Sequence, residues 1–162
     1  MVFIVSILTS CFNRSFIKKD INGEPTVEDI SYSINYKMEI KDAKVIDTTA
    51  LYLELFSSDA NQSEKENPEI LIFHNNGYFE KRSKKFFSNF EKIRTKKSVY
   101  YGGKFQLTNK ELIIEEFYPT SGSKTNYYDK LKTYGIIKKD TVIIIFFNRE
   151  YKYVKKRKED IF

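Results

Sequence analysis

Between Ser98 and Phe147 the chain carries two successive antiparallel hairpins, and a pair of hairpins must find further strands to cover its edges and one face. The first runs SVYYGGKFQL, TNK, ELIIEEFY, and its register follows from which pairing gives sensible faces. A two-residue loop of Asn109-Lys110 sets Leu107 opposite Leu112, Phe105 opposite Ile114, Gly103 opposite Glu116 and Tyr101 opposite Tyr118 on one face. The other face then pairs Lys104 with Glu115, two opposite charges across the strands. A three-residue loop would set Leu107 against Glu111 and Gly103 against Glu115, mixing apolar and charged positions on both faces, so the shorter loop is preferred. The second hairpin is TNYYDKLKTYGII, a turn at Lys138-Lys139-Asp140, and TVIIIFF. The unbroken apolar run from Val142 to Phe147 suits a strand covered on both faces, although periodicity alone leaves a short buried helix open.

The chain has 162 residues, enough for one domain with its own core and too few for two ordinary ones. Hydrophobic content of 41% argues against disorder, and aromatic content of 16%, all Phe and Tyr, leans towards sheet. A single cysteine allows no internal disulfide, and a single histidine removes every metal site that needs two. No cofactor is implied.

The N-terminal run MVFIVSILTSC is apolar from Val2 to Leu8, broken by Ser6, and much shorter than the ~20 residues a spanning helix needs. Leu8-Thr9-Ser10-Cys11 matches a bacterial lipobox, in which a small residue at Ser10 admits the peptidase and the Cys11 thiol takes a diacylglyceryl group. The expectation is a signal peptide over 1–10, lipid attachment at Cys11 and a cell-envelope address, outer membrane included. No Lys or Arg precedes the apolar run, which departs from the pattern. The alternative makes Val2 to Leu8 a first buried strand, Cys11 a small core residue and the protein cytoplasmic. Residues 11–28, with Asn, Gly, Pro and mixed charge and no period, read as a tether to a single domain over 29–162.

Within that domain Ile30 to Ile40 alternates cleanly, with Ile30, Tyr32, Ile34, Tyr36, Met38 and Ile40 on one face, and predicts a half-buried strand. Leu51, Leu53 and Leu55 alternate with Tyr52, Glu54 and Phe56 in a second strand, and DANQSEKENPE reads as a polar loop. His74-Asn75-Asn76-Gly77 between two apolar segments predicts a tight hairpin turn. From Ser83 to Lys97 the pattern changes: Phe86, Phe87, Phe90 and Ile93 share one side of a short basic helix near 84–94. That helix either lies on an anionic membrane surface or, as the preferred reading, uses its Phe side to close one end of a barrel or cover the outside of the Val142 to Phe147 strand. EYKYVKKRKEDIF gives a last strand up to Val154 and then a charged tail.

The sum is eight or nine strands in sequence-adjacent antiparallel pairs, a mainly β fold whose edges are best removed by closing an up-and-down barrel, with a β-sandwich as the rival. The lipobox together with NNGYF, YYGGKFQLTNKELIIEEFYP and YGIIKKDTVII resembles the small lipoproteins of Bacteroidota that carry a lipocalin-like β-barrel. That resemblance implies a fold and an envelope address over about Ile30 to Val154.

Candidate chemistry is sparse. His74 has no second histidine or cysteine to work with and is read as a surface or cross-strand residue. Glu115 and Glu116 are adjacent in a strand, point to opposite faces and so cannot act together as a catalytic pair. With no nucleophile, phosphate-loop or dinucleotide motif present, a non-enzymatic role is expected. In the preferred register Glu116 faces the core beside Tyr101 and Tyr118, opposite Gly103, and the tyrosine hydroxyls are the donors its carboxylate needs. The expected function is therefore binding of a small hydrophobic or amphipathic ligand oriented by Glu116, Tyr101 and Tyr118. A structural or partner-binding lipoprotein without a pocket is the main alternative. Nucleic-acid binding, suggested by KRSKK, KIRTKK and KKRK and a net charge of +6, is disfavoured by the 22 interspersed acids.

Overall fold

A computed structural model describes residues 14–57, 60–88, 94–121 and 125–161. Nine strands follow one another: β1 Arg14–Phe16, β2 Leu51–Leu55, β3 Glu69–Phe73, β4 Tyr78–Ser83, β5 Gly102–Thr108, β6 Glu111–Pro119, β7 Tyr127–Lys138, β8 Thr141–Phe146 and β9 Arg149–Lys156. Each of β2 to β9 pairs antiparallel with its neighbours in sequence, and β9 returns to pair with β2, with Leu53 opposite Val154. The result is a closed eight-stranded meander, the small lipocalin-like barrel expected, in which every strand of the ring pairs with a neighbour on each side. Short helices interrupt it at α1 Gln62–Glu66, inside the polar loop, and α2 Lys84–Ser88, where the basic helix was expected. Phe90 and Ile93 of that expected helix lie outside the described residues.

The hairpin registers follow the alternation of side chains. Leu107 lies opposite Leu112, Phe105 opposite Ile114, Lys104 opposite Glu115 and Gly103 opposite Glu116. Asn109 adopts positive φ in the two-residue loop, as a primed turn requires. Lys139 does the same in the β7–β8 turn, which is Lys139-Asp140 alone because Lys138 still pairs with Thr141. The β3–β4 loop takes its positive φ at Gly77, where a Cβ would run into the Tyr36 carbonyl.

Two expectations are corrected outside the ring. Ile30 and Ser31 fall in a 3-10 turn over Asp29–Ser31, and the stretch 32–39 after it has Tyr32 and Ile34 buried yet pairs with no strand; Ile30 and Ile40 are 93% and 90% exposed. Alternation records one covered face of an extended chain; it does not record a ladder. Residues 14–28, read as a tether, are packed on the barrel: β1 pairs with β7, Arg14 opposite Asp129, and Ile17 and Val27 are buried with Val99, Phe117 and Tyr128. The run Val142 to Phe147 is covered on both faces only at its start, since Val142 and Ile143 are buried while Ile145 and Phe147 are exposed. Residues 1–13, with Cys11, lie outside the described residues.

The extended segment after Val27 acts as a strap, and Glu115 is its fastening. On the outer face of β6 the Glu115 carboxylate is fully buried; Oε2 accepts from the Ser33 amide at 2.7 Å and the Ile34 amide at 3.1 Å, and Oε1 accepts from the Ser33 hydroxyl at 2.7 Å. Its expected partner Lys104 turns instead towards Asp29 and the rings of Tyr78 and Tyr32. Past Ser33 the strap folds over the barrel end that carries the loops at 75–77, 109–110 and 139–140. There Tyr36, Met38, Val45, Ile46 and Ala50 join the main core cluster with Phe105, Leu107, Leu112, Ile137 and Val142. That end is thereby closed.

Burial alone would raise the Glu115 carboxyl, but the Ser33 hydroxyl, the two amides and Lys130 outweigh it and hold the group below its ordinary value of 4.5. A carboxyl depressed in the folded chain contributes stability that is complete above its unfolded value and is lost as the pH falls through the folded one. Glu115→Gln is expected to lower the unfolding free energy at pH 7 by about 1–3 kcal/mol and to flatten the acid loss below pH 4.5. Urea titrations between neutral and acid pH check this; equal stability of variant and wild type at neutral pH would contradict the role.

Candidate ligand cavity

Towards the opposite end the barrel interior contains a cavity of about 240 Å³ that is partly open to solvent. Its inner wall is apolar, made by Leu71, Phe79, Ile114 and Ile144, with Phe146 and Tyr151 higher up. Polar groups come from five strands: Glu54 of β2, Glu69 of β3, Lys81 of β4, Glu116 and Tyr118 of β6 and Tyr153 of β9. All follow from period-two alternation, each lying two residues along its strand from a core or cavity-wall residue such as Tyr52, Leu71, Phe79, Ile114 or Tyr151. In β2 this alternation puts Tyr52 and Glu54 inside, whereas Leu51 and Leu53 pack outside with Ile70 and Ile161.

These groups form one network. Lys81 Nζ donates to Glu116 Oε1 at 3.0 Å and to the Tyr118 hydroxyl at 2.9 Å, and that hydroxyl donates to Glu116 Oε2 at 3.0 Å. Lys81 also lies 3.8 Å from Glu69 Oε2, whose Oε1 accepts from the Tyr153 hydroxyl at 2.7 Å. Glu54 Oε2 accepts from the Glu69 amide at 3.0 Å. Burial would lower the Lys81 ammonium, but Glu116 and Glu69 hold it above its ordinary value. Burial pushes the Glu69 carboxyl up against the pull of Lys81 and Tyr153, with Glu116 and Glu54 adding to the rise. Burial and the Glu116 charge push the Tyr118 phenol up to about 12. Lys81 is the one cation among these lining residues and faces three carboxylates, so the cavity carries excess negative charge in partly desolvated surroundings.

Of the residues singled out in the sequence, Glu116 and Tyr118 are brought together here. Tyr101 is not. Gly102, at φ +147, ends the β5 pairing one residue short of it, and Tyr101 turns to the outer face. There its hydroxyl meets His74 Nε2 at 2.9 Å and the two rings stack at 6.1 Å, giving His74 a cross-strand role. Sequence reasoning missed Lys81, Glu69, Glu54 and Tyr153. The available signal was the alternation of YFEKR, which places Lys81 in phase with Phe79. Among the described residues no group of His, Cys, Asp and Glu is placed to hold a metal ion, and no helix is long and apolar enough to cross a membrane.

The fold and cavity together define a lipocalin-like barrel closed at one end and open at the other, with a charged network inside the open end. No protein family, curated protein or solved structure matches the chain.

Lys81→Met leaves Glu116 and Glu69 facing each other without their cation and is expected to cost about 2–4 kcal/mol of stability. Adding Glu116→Gln should restore about 1–2 kcal/mol, because the two positions share one interaction. A double-mutant cycle by chemical unfolding reads this coupling, and simple additivity would show that the network is not a unit.

Proposed function

We propose that the protein is a ligand-binding lipoprotein of the cell envelope, anchored through Cys11, whose barrel holds a small amphipathic molecule with a cationic head. The observation that carries the ligand reading is the cavity itself: an apolar inner wall beneath three carboxylates that Lys81 neutralises only in part. An apolar tail is favoured against Ile114, Phe79 and Ile144 because it leaves water there, and a primary or quaternary amine is favoured at Glu54, Glu69 and Glu116 because it supplies the missing positive charge. Tyr118 and Tyr153 add ring faces and hydroxyls suited to an ammonium group. Nothing in this arrangement asks for a nucleophile, and the role is binding rather than turnover. The envelope address is supported by the lipobox at Leu8 to Cys11.

The test uses alkylamines and the fatty carboxylates of equal chain length, followed by thermal shift and calorimetry. Amines are expected to raise the melting temperature and carboxylates to leave it unchanged. Glu116→Gln is expected to weaken amine binding about tenfold, the loss of one charge-assisted contact. Equal binding of both series, or unchanged amine affinity in Glu116→Gln, would overturn the reading.

A further inference from the structure

The wall of the barrel is not equally sealed around its open end. β6 pairs with one edge of β7 from Tyr128 to Ile136, while the other edge is divided: β8 takes Tyr134 to Lys138 and β1 takes Tyr127 to Asp129. Among the described residues, positions 130–133 of that edge have no strand partner. β1 runs antiparallel to β7, so stepping back along the chain from Arg14 leads towards this gap and the β8–β9 turn beyond it. Cys11 precedes Arg14 by three residues, a reach of at most about 10 Å. On the lipoprotein reading an acyl group on Cys11 is tethered within that reach of Arg14.

The surface next to the gap is apolar. Across β6, β7 and β8 the outer face presents Ile113, Tyr134 and Ile145 in one cross-strand row, with Tyr134 60% and Ile145 48% exposed. Phe147, 82% exposed, stands at the tip of the β8–β9 turn. Phe147 and Asn148 both have positive φ, at 45° and 60°, the geometry of a primed hairpin turn that favours Asn-Gly. A phenylalanine there holds an unfavourable backbone angle and gains no buried contact for most of its ring. Phe146, one residue before, lines the cavity and stacks on Tyr118. Lys132 on the same outer face of β7, Arg149 after the turn and Lys152 opposite Ile143 surround the patch, with Glu150 as the acid among them.

We propose that Ile113, Tyr134, Ile145 and Phe147 form a seating surface for an anionic lipid bilayer, pressed onto it by the anchor on Cys11, with the open end of the cavity at headgroup depth. The proposal rests on the lipoprotein reading above for its anchor. Its surface term is separate: exposed aromatic and aliphatic side chains ringed by cations enter the interface of an anionic membrane, each adding a modest increment. The bilayer is favoured over a protein partner because a lipid on Cys11 would be held within three residues of Arg14, which pairs with Asp129 of the same strand as Tyr134, and because cations border the patch.

The chain contains no tryptophan, so Phe147→Trp reports on this tip alone. In the full chain carrying Cys11→Ser as well, it is mixed with vesicles of phosphatidylglycerol and phosphatidylethanolamine, with and without brominated acyl chains. Blue-shifted emission, quenching by bromine, and vesicle affinity reduced about tenfold by Tyr134→Ser with Ile145→Ser are expected, together with weakening in high salt. Emission that stays at its solvent position would overturn the proposal, as would a blue shift without vesicles that grows with protein concentration, which would mark self-association. In parallel, intact mass of the wild type from bacterial membranes reads the anchor. Lipid on Cys11 with an unquenched indole in the Phe147→Trp variant overturns the surface and keeps the lipoprotein reading; a quenched indole without lipid on the wild type keeps the surface and overturns the anchor.

Discussion

The barrel depends on a carboxylate placed on the wrong side of a hydrophobic wall. Glu115 belongs to the outer face of β6, where a charge would ordinarily face water, and instead is fully buried under the strap. A buried carboxylate is tolerated only when donors surround it, and Ser33 and Ile34 provide three. The strap needs Glu115 in turn, because its amides at 33 and 34 meet no strand. Each half satisfies groups that the other leaves orphaned, so the strap is fixed in register on β6 although no ladder holds it. Everything downstream of Ser33, including the closure of one barrel end by Tyr36, Ile46 and Ala50, follows from that fixed point.

Closing one end decides where polar chemistry can exist. At the closed end the interior is filled by rings packed edge to face, Tyr36 on Phe105, Phe105 on Phe73 and Phe73 on Tyr52. Two residues beyond Tyr52, Phe79 and Ile114 on β2, β4 and β6, the inward positions become Glu54, Lys81 and Glu116, which line the cavity. Water at the open end keeps these groups tolerable, yet burial is deep enough to push Glu69 and Tyr118 upward. Such a half-dry site makes electrostatic differences count, since a charge there is screened less than on the surface and still exchangeable with a ligand.

Much of this was legible from residue order. The β5–β6 register followed from requiring apolar residues to share a face, and it placed Glu116 and Tyr118 inside correctly because a register, once fixed, orients every side chain of the strand. It failed at Tyr101, where Gly102 adopts a backbone that ends the pairing, a change no alternation pattern reveals. Leu51 and Leu53 illustrate a different limit: both faces of β2 are covered, so hydrophobicity could not say which side was in, and Ile161 from the chain's last turn decided it. Ile30 to Ile40 carried a true signal of one buried face, but the partner was a carboxylate rather than a strand. The cavity network was unreadable for the same reason in each case, since Glu54, Lys81 and Glu116 are far apart in sequence and meet only because the meander closes.

Closure also explains why the two ends of one strand do different work. β7 is the longest strand, 12 residues against 6 in β8, and a ring of unequal strands cannot pair along its full height. From Tyr134 to Ile136 both edges of β7 are paired; beyond Tyr134 β8 has already turned at Phe147, and among the described residues only β6 pairs with β7 until β1 meets it at Asp129. A β-strand with an open edge is a hazard in solution unless something occupies it or keeps other strands away. Here the stretch 130–133 itself carries Lys130 and Lys132, which discourage edge pairing. The strand mismatch thus leaves positions 130–133 without a strand partner on that edge among the described residues, beside Phe146 and Thr133 of the cavity wall.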